Sequence, residues 1–441
     1  MKYLNLLLGA LVVLSPLSSA QGTTPKKPAR PKPEAAPEPE HPKNLQSVSA
    51  KEIDDAVRRG VELLISRQES LDESRATKPE WPYEGVYRVR VDGEMQIPVG
   101  YRIGGTSIVA MSIVDALGRL STDGANKEAA AAVERALAFV LEKFEDPLMS
   151  TDFEKGYDVR GWGHAYGLAF LLKLRDTKNV PAEYRERVDA KIKALVQILS
   201  DTQIGGRGGW NYSRPGGDAS SASTFMTAPT LQILFEAKRQ GEAVDVGAIG
   251  RGLQTLEDAR LETGAFQYGS DPKGKNGRGF EDVPGSTGRS PVCETTLYLA
   301  GRGSVDRIRT SLDQFFEHWR WLEQRRKQNG THVPPYYIAP YYFFYAHRYA
   351  AQAIEFLPEV ERPNYRKKLY ELLWHVRESD GGWNDRVFPR SESFGTAMTI
   401  TALREPVSAR PAGWTGPTPT STVPTKDGQT PATPEPTGKG Q

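Results

Sequence analysis

Gly381-Gly382-Trp383-Asn384-Asp385 stands between two stretches of opposite character. Before it, Tyr365, Leu369, Leu372 and Val376 recur three to four residues apart among charges, the pattern of a half-buried helix. After it, Phe394 to Leu403 carries no charge at all and is rich in small residues, the composition of a helix buried on every side. Glycine permits the tight positive-φ turn between the two, and the aromatic that follows can tuck under the second helix.

The same succession recurs along the chain. Amphipathic segments begin at Ile53, Val133, Val188, Val246, Ile308 and Tyr365. Segments poor in charge lie between and after them, near 105–117, 162–174, 220–237, 291–300, 336–354 and 394–403. Related turns are Trp81-Pro82-Tyr83-Glu84-Gly85, Gly208-Gly209-Trp210-Asn211-Tyr212 and Gly264-Ala265-Phe266-Gln267-Tyr268-Gly269, with Gly161-Trp162-Gly163-His164 as a variant. Strand signals are nearly absent. Six outer/inner hairpins predict an all-α (α/α)6 toroid whose inner helices surround a cavity. An open solenoid is the rival geometry, but it would leave one face of the uncharged helices wet.

The 441 residues carry a formal net charge of +2, without the basic excess typical of nucleic-acid binders. No run of about eighteen apolar residues suggests a spanning helix. Lys2, the apolar run Leu4 to Leu17 and the small residues Ser18 to Ala20 have the form of a signal peptide over 1–20, predicting export to the periplasm or beyond; an uncleaved anchor is the alternative. Residues 21–46, rich in Pro, Lys and Glu, and 407–441, rich in Thr and Pro, are expected to be disordered, leaving 47–406 for the barrel. A single cysteine, Cys293, excludes an internal disulfide.

A Gly-Gly-Trp or Gly-Xaa-Phe-Xaa-Tyr-Gly turn before a Ser/Thr/Ala-rich helix resembles the repeat of squalene–hopene cyclases and protein prenyltransferase β subunits, and the resemblance spans most of 47–406. It implies the toroid and a central cavity. The chemistry of those families departs here. The Asp-Xaa-Asp-Asp acid motif of the cyclases is missing, and the one Asp-Asp pair, Asp54-Asp55, lies on the polar face of the first outer helix. The transferase zinc motif places Asp two residues before Cys, whereas Pro291 precedes Val292 and Cys293. The Cys-Gly-Glu-Gln thioester of complement-type domains is not matched by Cys293-Glu294-Thr295-Thr296. No metal or cofactor is therefore expected.

Candidate cavity residues follow from their places on the inner helices and turns. Asp158, Asp218, Glu294 and Glu392 stand at inner-helix starts, where a carboxylate either caps the helix or joins a ring around a pocket. Asp385 belongs to the same pool of acids. Trp162, His164 and Tyr166 open the second inner helix; His164 is either a proton-transfer group or a core histidine. Tyr341 and His347 lie in an aromatic helix suited to a flat or apolar ligand or to plain packing. Trp210, Tyr212, Tyr268 and Trp383 are turn aromatics, either staples between repeats or cavity lining. Cys293 is either an activated thiol or a small core residue.

Three functions are compatible with this pattern. The first is a binding protein for a hydrophobic small molecule, lipid-like or isoprenoid, or a peptide. The second is an enzyme of altered chemistry, acting on isoprenoids or on glycans, the latter needing two carboxylates about 5–10 Å apart. The third is an interaction protein working through its tails.

Overall fold

In a computed structural model of the protein, the residues described are 38–72, 75–120, 122–151, 159–206, 208–212, 221–269 and 279–417. Among them six long amphipathic helices form an outer layer: α1 (Ala50–Ser66), α3 (Asp123–Lys143), α5 (Arg185–Asp201), α7 (Val246–Ala259), α10 (Val305–Arg325) and α12 (Arg362–His375). Each is followed by a helix of the inner layer: α2 (Val99–Ala116), α4 (Arg160–Asp176), α6 (Thr224–Arg239), α9 (Ser290–Leu299), α11 (Tyr342–Ile354) and α13 (Ser391–Arg404). A single turn, α8 (Val283–Ser286), precedes α9.

The inner helices touch in the order α2, α4, α6, α9, α11, α13, and α13 returns to pack on α2. The arc therefore closes, and the open solenoid is excluded. All six inner segments and all six outer segments predicted from periodicity coincide with helices of the expected layer.

The outer helices bury one stripe each. On α1, Val57, Val61 and Leu64 face inward while Ser49 caps the start in a capping box with Glu52. The inner helices are buried on nearly all sides; on α2 fifteen of eighteen residues are buried, so small side chains must set the spacing. Gly104 does this directly. A Cβ there would lie 2.3 Å from the Trp162 ring, so α2 and α4 approach closely because that atom is missing.

Two ion-pair clusters join the last repeat to the first. Arg390 donates to both oxygens of Glu69 at 2.7 and 3.0 Å. Arg67 pairs with Asp380 at 2.7 Å and with Glu392.

Three features depart from the expected outline. A two-stranded hairpin, β1 (Val89–Val91) with β2 (Glu94–Gln96), interrupts the first repeat, turning on Asp92-Gly93, both with positive φ. That pair of angles is the turn Asp-Gly sequences favour. The fold also extends beyond 406. Residues 408–414 cross one end of the ring: the Trp414 N–H donates to the Leu299 carbonyl at 2.9 Å, and its ring packs on Phe235, centroids 5.6 Å apart. Upstream, the His41 ring nitrogen donates to the Glu317 carbonyl at 2.8 Å, and Leu45 packs against the core.

Candidate functional site

The glycine-aromatic turns are built on one hydrogen-bonding scheme. The indole N–H of Trp81, Trp210 and Trp383 donates to the carbonyl of Leu64, Leu199 and Leu373, at 2.6, 2.7 and 2.8 Å. Each acceptor lies near the C-terminal end of the preceding outer helix, where carbonyls lack intrahelical partners. The backbone N–H of the same tryptophans donates to Thr106, Thr227 and Thr396 on the following inner helix, at 2.9, 3.0 and 3.0 Å. Phe266 repeats the second bond with Ser286 at 2.7 Å. Trp210 and Trp383 are thus staples joining outer to inner helix, and of the two readings open for them, cavity lining is the one that fails.

Beyond the staples, the N-terminal ends of the inner helices converge on a pocket with eleven lining residues, ten of them aromatic. Trp162, Tyr212, Tyr268 and Tyr341 are among them. Tyr83, Tyr87, Tyr101, Phe225, Met226, Tyr345 and Phe394 complete the wall. The rings meet at edges and tilts: Tyr83 lies 4.9 Å from Phe394 and 5.6 Å from Trp162, and Phe225 stacks on Tyr342 at 4.2 Å. Burial pushes the Tyr268, Tyr341 and Tyr345 hydroxyls above their ordinary pKa, so they are neutral donors and acceptors.

One contact between non-adjacent inner helices follows from a proline. Pro229, inside α6, has no N–H to give the Phe225 carbonyl one turn earlier. The Tyr345 hydroxyl of α11 donates to that carbonyl at 2.9 Å. The bond ties α6 to α11, the two neighbours of α9, at the pocket.

Two buried charges stand behind this aromatic wall. Arg289 is fully buried, donates to the carbonyls of Phe266, Gly285 and Phe280, and lies over the rings of Phe225 and Tyr268 at 5.7 and 5.9 Å. Desolvation lowers its pKa from the usual arginine value. Asp385 is buried, and among the described residues neither carboxyl oxygen is in a regular hydrogen bond. Desolvation raises its pKa to about 7, against the opposing pull of Arg386 and Arg326 and of nearby backbone N–H groups. The same Arg386 and Asp385 act on the hydroxyl of Tyr83, a wall residue, and Arg386 lies 5.8 Å over the ring of Tyr341, another. A carboxyl poised between protonation states is a potential proton donor near neutral pH.

The remaining candidates take structural places. Glu294 bridges Arg260 at 2.6 Å and Arg307 at 2.8 Å, tying α7, α9 and α10. Glu392 engages Arg67 in the closing cluster, and desolvation raises its pKa to about 7. Neither joins a ring of carboxylates; Asp158 and Asp218 lie outside the described residues. His164 contacts the Met149 carbonyl at 3.1 Å and stacks on Phe144, with desolvation lowering its pKa to about 4. His347 donates from Nδ1 to the Phe343 carbonyl at 2.6 Å and accepts from the Trp319 indole at 2.7 Å, an assignment that fixes a neutral ring. Cys293 is fully buried and desolvation raises its thiol pKa, so the activated-thiol reading fails. Tyr166 faces the other end of the ring, where its hydroxyl lies 3.4 Å from that of Tyr349. Among the described residues no group of three or more His, Cys, Asp or Glu side chains is placed to hold a metal ion.

No family model matches the chain, and no curated protein matches it. Solved structures similar to it include the type II terpene cyclase MstE from Scytonema, 13% identical over 81% of this chain and 98% of that one, TM-score 0.44. A family 76 glycoside hydrolase (mannosidase) from Bacteroides thetaiotaomicron is 10% identical over 80% and 97%, TM-score 0.46. A cellobiose 2-epimerase from Bacillus thermoamylovorans is 11% identical over 79% and 99%, TM-score 0.48.

Proposed function

We propose that the protein is exported and holds a lipid-like, isoprenoid or comparably apolar ligand in the aromatic pocket, without the chemistry of cyclases or prenyltransferases. The observation that carries this reading is the wall itself: among the described residues it is ten aromatic side chains and a methionine, with no charged lining residue. Such a surface offers no charge to a phosphate, and its broad ring area favours flat or branched apolar groups, with the tyrosine hydroxyls left to orient a single polar end. Tyr87, at 36% exposure, and the partly exposed Tyr212, Tyr268 and Tyr341 form the accessible part of the pocket. The test is a thermal-shift and calorimetric titration with farnesol, on the chain as exported and on Tyr87→Ala. Binding that weakens in the variant supports the proposal; identical behaviour with and without farnesol in the wild type ends it.

A second reading rests on Asp385. A carboxyl with a pKa of about 7, coupled to the pocket through Tyr83 and Arg386, suits an enzyme of altered chemistry that transfers a proton within the same barrel. Turnover of polyprenyl or glycan substrates, lost in Asp385→Asn while farnesol binding persists, would separate this reading from the first.

A further inference from the structure

The opposite end of the ring encloses a second, chemically different space of about 370 Å³. Its walls are the C-terminal halves of α2, α4, α6, α11 and α13, and residues 408–412 lie along its edge. Its base is the Tyr166–Tyr349 pair. Tyr349 in turn lies 4.6 Å from Tyr345 of the aromatic pocket, so one layer of tyrosines separates the two spaces.

Three observations define what would fit. First, the cations of the lining already stand in ion pairs or over a ring, although Arg348 Nη1 meets Glu405 without a regular hydrogen bond. Lys173 pairs with Asp115 at 2.5 Å, Arg239 with Asp176 and Glu236, and Arg348 with Glu405 at 3.0 Å, while Arg410 lies over the Phe356 ring. Second, acceptors remain. The Gln352 side chain lines the cavity at 2% exposure, and its carbonyl oxygen has no hydrogen-bond partner among the described residues. An orphaned buried acceptor of this kind calls for a donor. Each carboxylate also offers more lone pairs than its one cationic partner uses. Third, five inner helices present their C-terminal ends here, where the helix dipole favours positive charge. Within the same space, burial chiefly, with Asp115 and Glu355, raises the pKa of Glu405 despite Arg348.

We propose that this cavity is a binding site for a small amine, an ammonium group whose N–H donors reach Gln352 and Glu405 above the tyrosine base. It is independent of the aromatic pocket and of whatever occupies that pocket. Neutral polyols would leave the dipole ends unanswered, and anions would oppose them.

The experiment is calorimetric titration of the full chain with putrescine at fixed ionic strength, beside maltose and glutarate as neutral and anionic probes. Putrescine is expected to bind with a Kd below about 10 mM, and both other probes to bind at least tenfold more weakly. Gln352→Met, close in size, should weaken putrescine several-fold, and Glu405→Gln at least tenfold. Tyr87→Ala, at the other end of the ring, should leave it unchanged. Circular dichroism melts confirm that each variant is folded. The proposal is overturned if putrescine fails to bind the wild type, if it binds folded Gln352→Met and Glu405→Gln as tightly as wild type, or if maltose or glutarate binds as well.

Discussion

The Tyr345 hydroxyl donates to the Phe225 carbonyl, the group that Pro229 leaves without its helical partner. The two residues sit on α11 and α6, which flank α9 in the ring, so one bond both repairs a helix and ties together two non-adjacent inner helices at the aromatic pocket. Tyr345→Phe should cost about 1–2 kcal/mol in urea unfolding, the usual penalty for stranding a buried acceptor. In a Pro229→Ala background, where the helix supplies its own N–H, the same change should cost distinctly less. Equal costs in both backgrounds would show that the proline is not the reason for the bond.

The turn staples should behave as stability elements only. Trp383→Phe keeps the ring but leaves the Leu373 carbonyl without its 2.8 Å donor, at an expected cost of about 1–3 kcal/mol. Thr396→Val, which strands the Trp383 N–H, should cost a similar amount. Ligand affinity in either pocket should not move in these variants at temperatures where they are folded. A staple variant that bound farnesol differently while melting normally would return Trp383 to the cavity.

Acid dependence has two opposing sources, separable by mutation. His347, like His164, titrates near 4 in the fold against an ordinary 6.5. The unfolded chain takes up that proton first, so the stability held by the neutral rings is complete above about pH 6.5 and is lost as pH falls through 4. Asp385 runs the other way. Its folded pKa of about 7, raised from 3.8, means that its contribution is present below pH 3.8 and is lost as pH rises through 7. Urea unfolding across pH 4–8 should therefore show Asp385→Asn gaining stability over wild type towards pH 8, on the order of 2–4 kcal/mol. His347→Gln should flatten the decline between pH 6.5 and 4. If Asp385→Asn gains nothing at pH 8, the carboxyl is not desolvated as described.

Cys293 supplies an internal clock for opening. The thiol is completely buried and hard to ionise, so thiol reagents should label the native protein only as fast as it unfolds. Labelling that is rapid at neutral pH and indifferent to urea would contradict the packing of α9 against α6.

How much of this could be read from the chain depended on the length scale of the signal. Helix positions and layers were legible because burial repeats every three to four residues, as along Ile308, Leu312, Phe315 and Trp319. The pocket was half legible: Tyr268 and Tyr341 stood out in an aromatic turn and an aromatic helix, and Tyr83 was in plain view inside the quoted Trp81 turn. What failed was direction. Trp162 and Trp383 both follow glycine, yet one faces the axis and the other caps an outer helix, because Trp162 is already within α4 while Trp383 sits before α13. The charges of Glu294 and Glu392 were visible, but their partners Arg260, Arg307 and Arg67 come from other helices, which no local pattern reveals. The second cavity leaves no local signal, because Gln352 and Glu405 stand at the ends of α11 and α13, and only closure of the ring brings those ends together.

Trp414 has a practical consequence. The chain leaves the ring beside Leu299 of the fourth hairpin, not at the end of α13 where its last long helix stops. Reporter domains or surface linkages joined directly after residue 417 would hang from that flank, next to the second cavity. Trimming to residue 406 on grounds of composition would uncover Phe235 and unroof the space beneath, giving a sticky product whose loss of solubility could be mistaken for a defect in the helices.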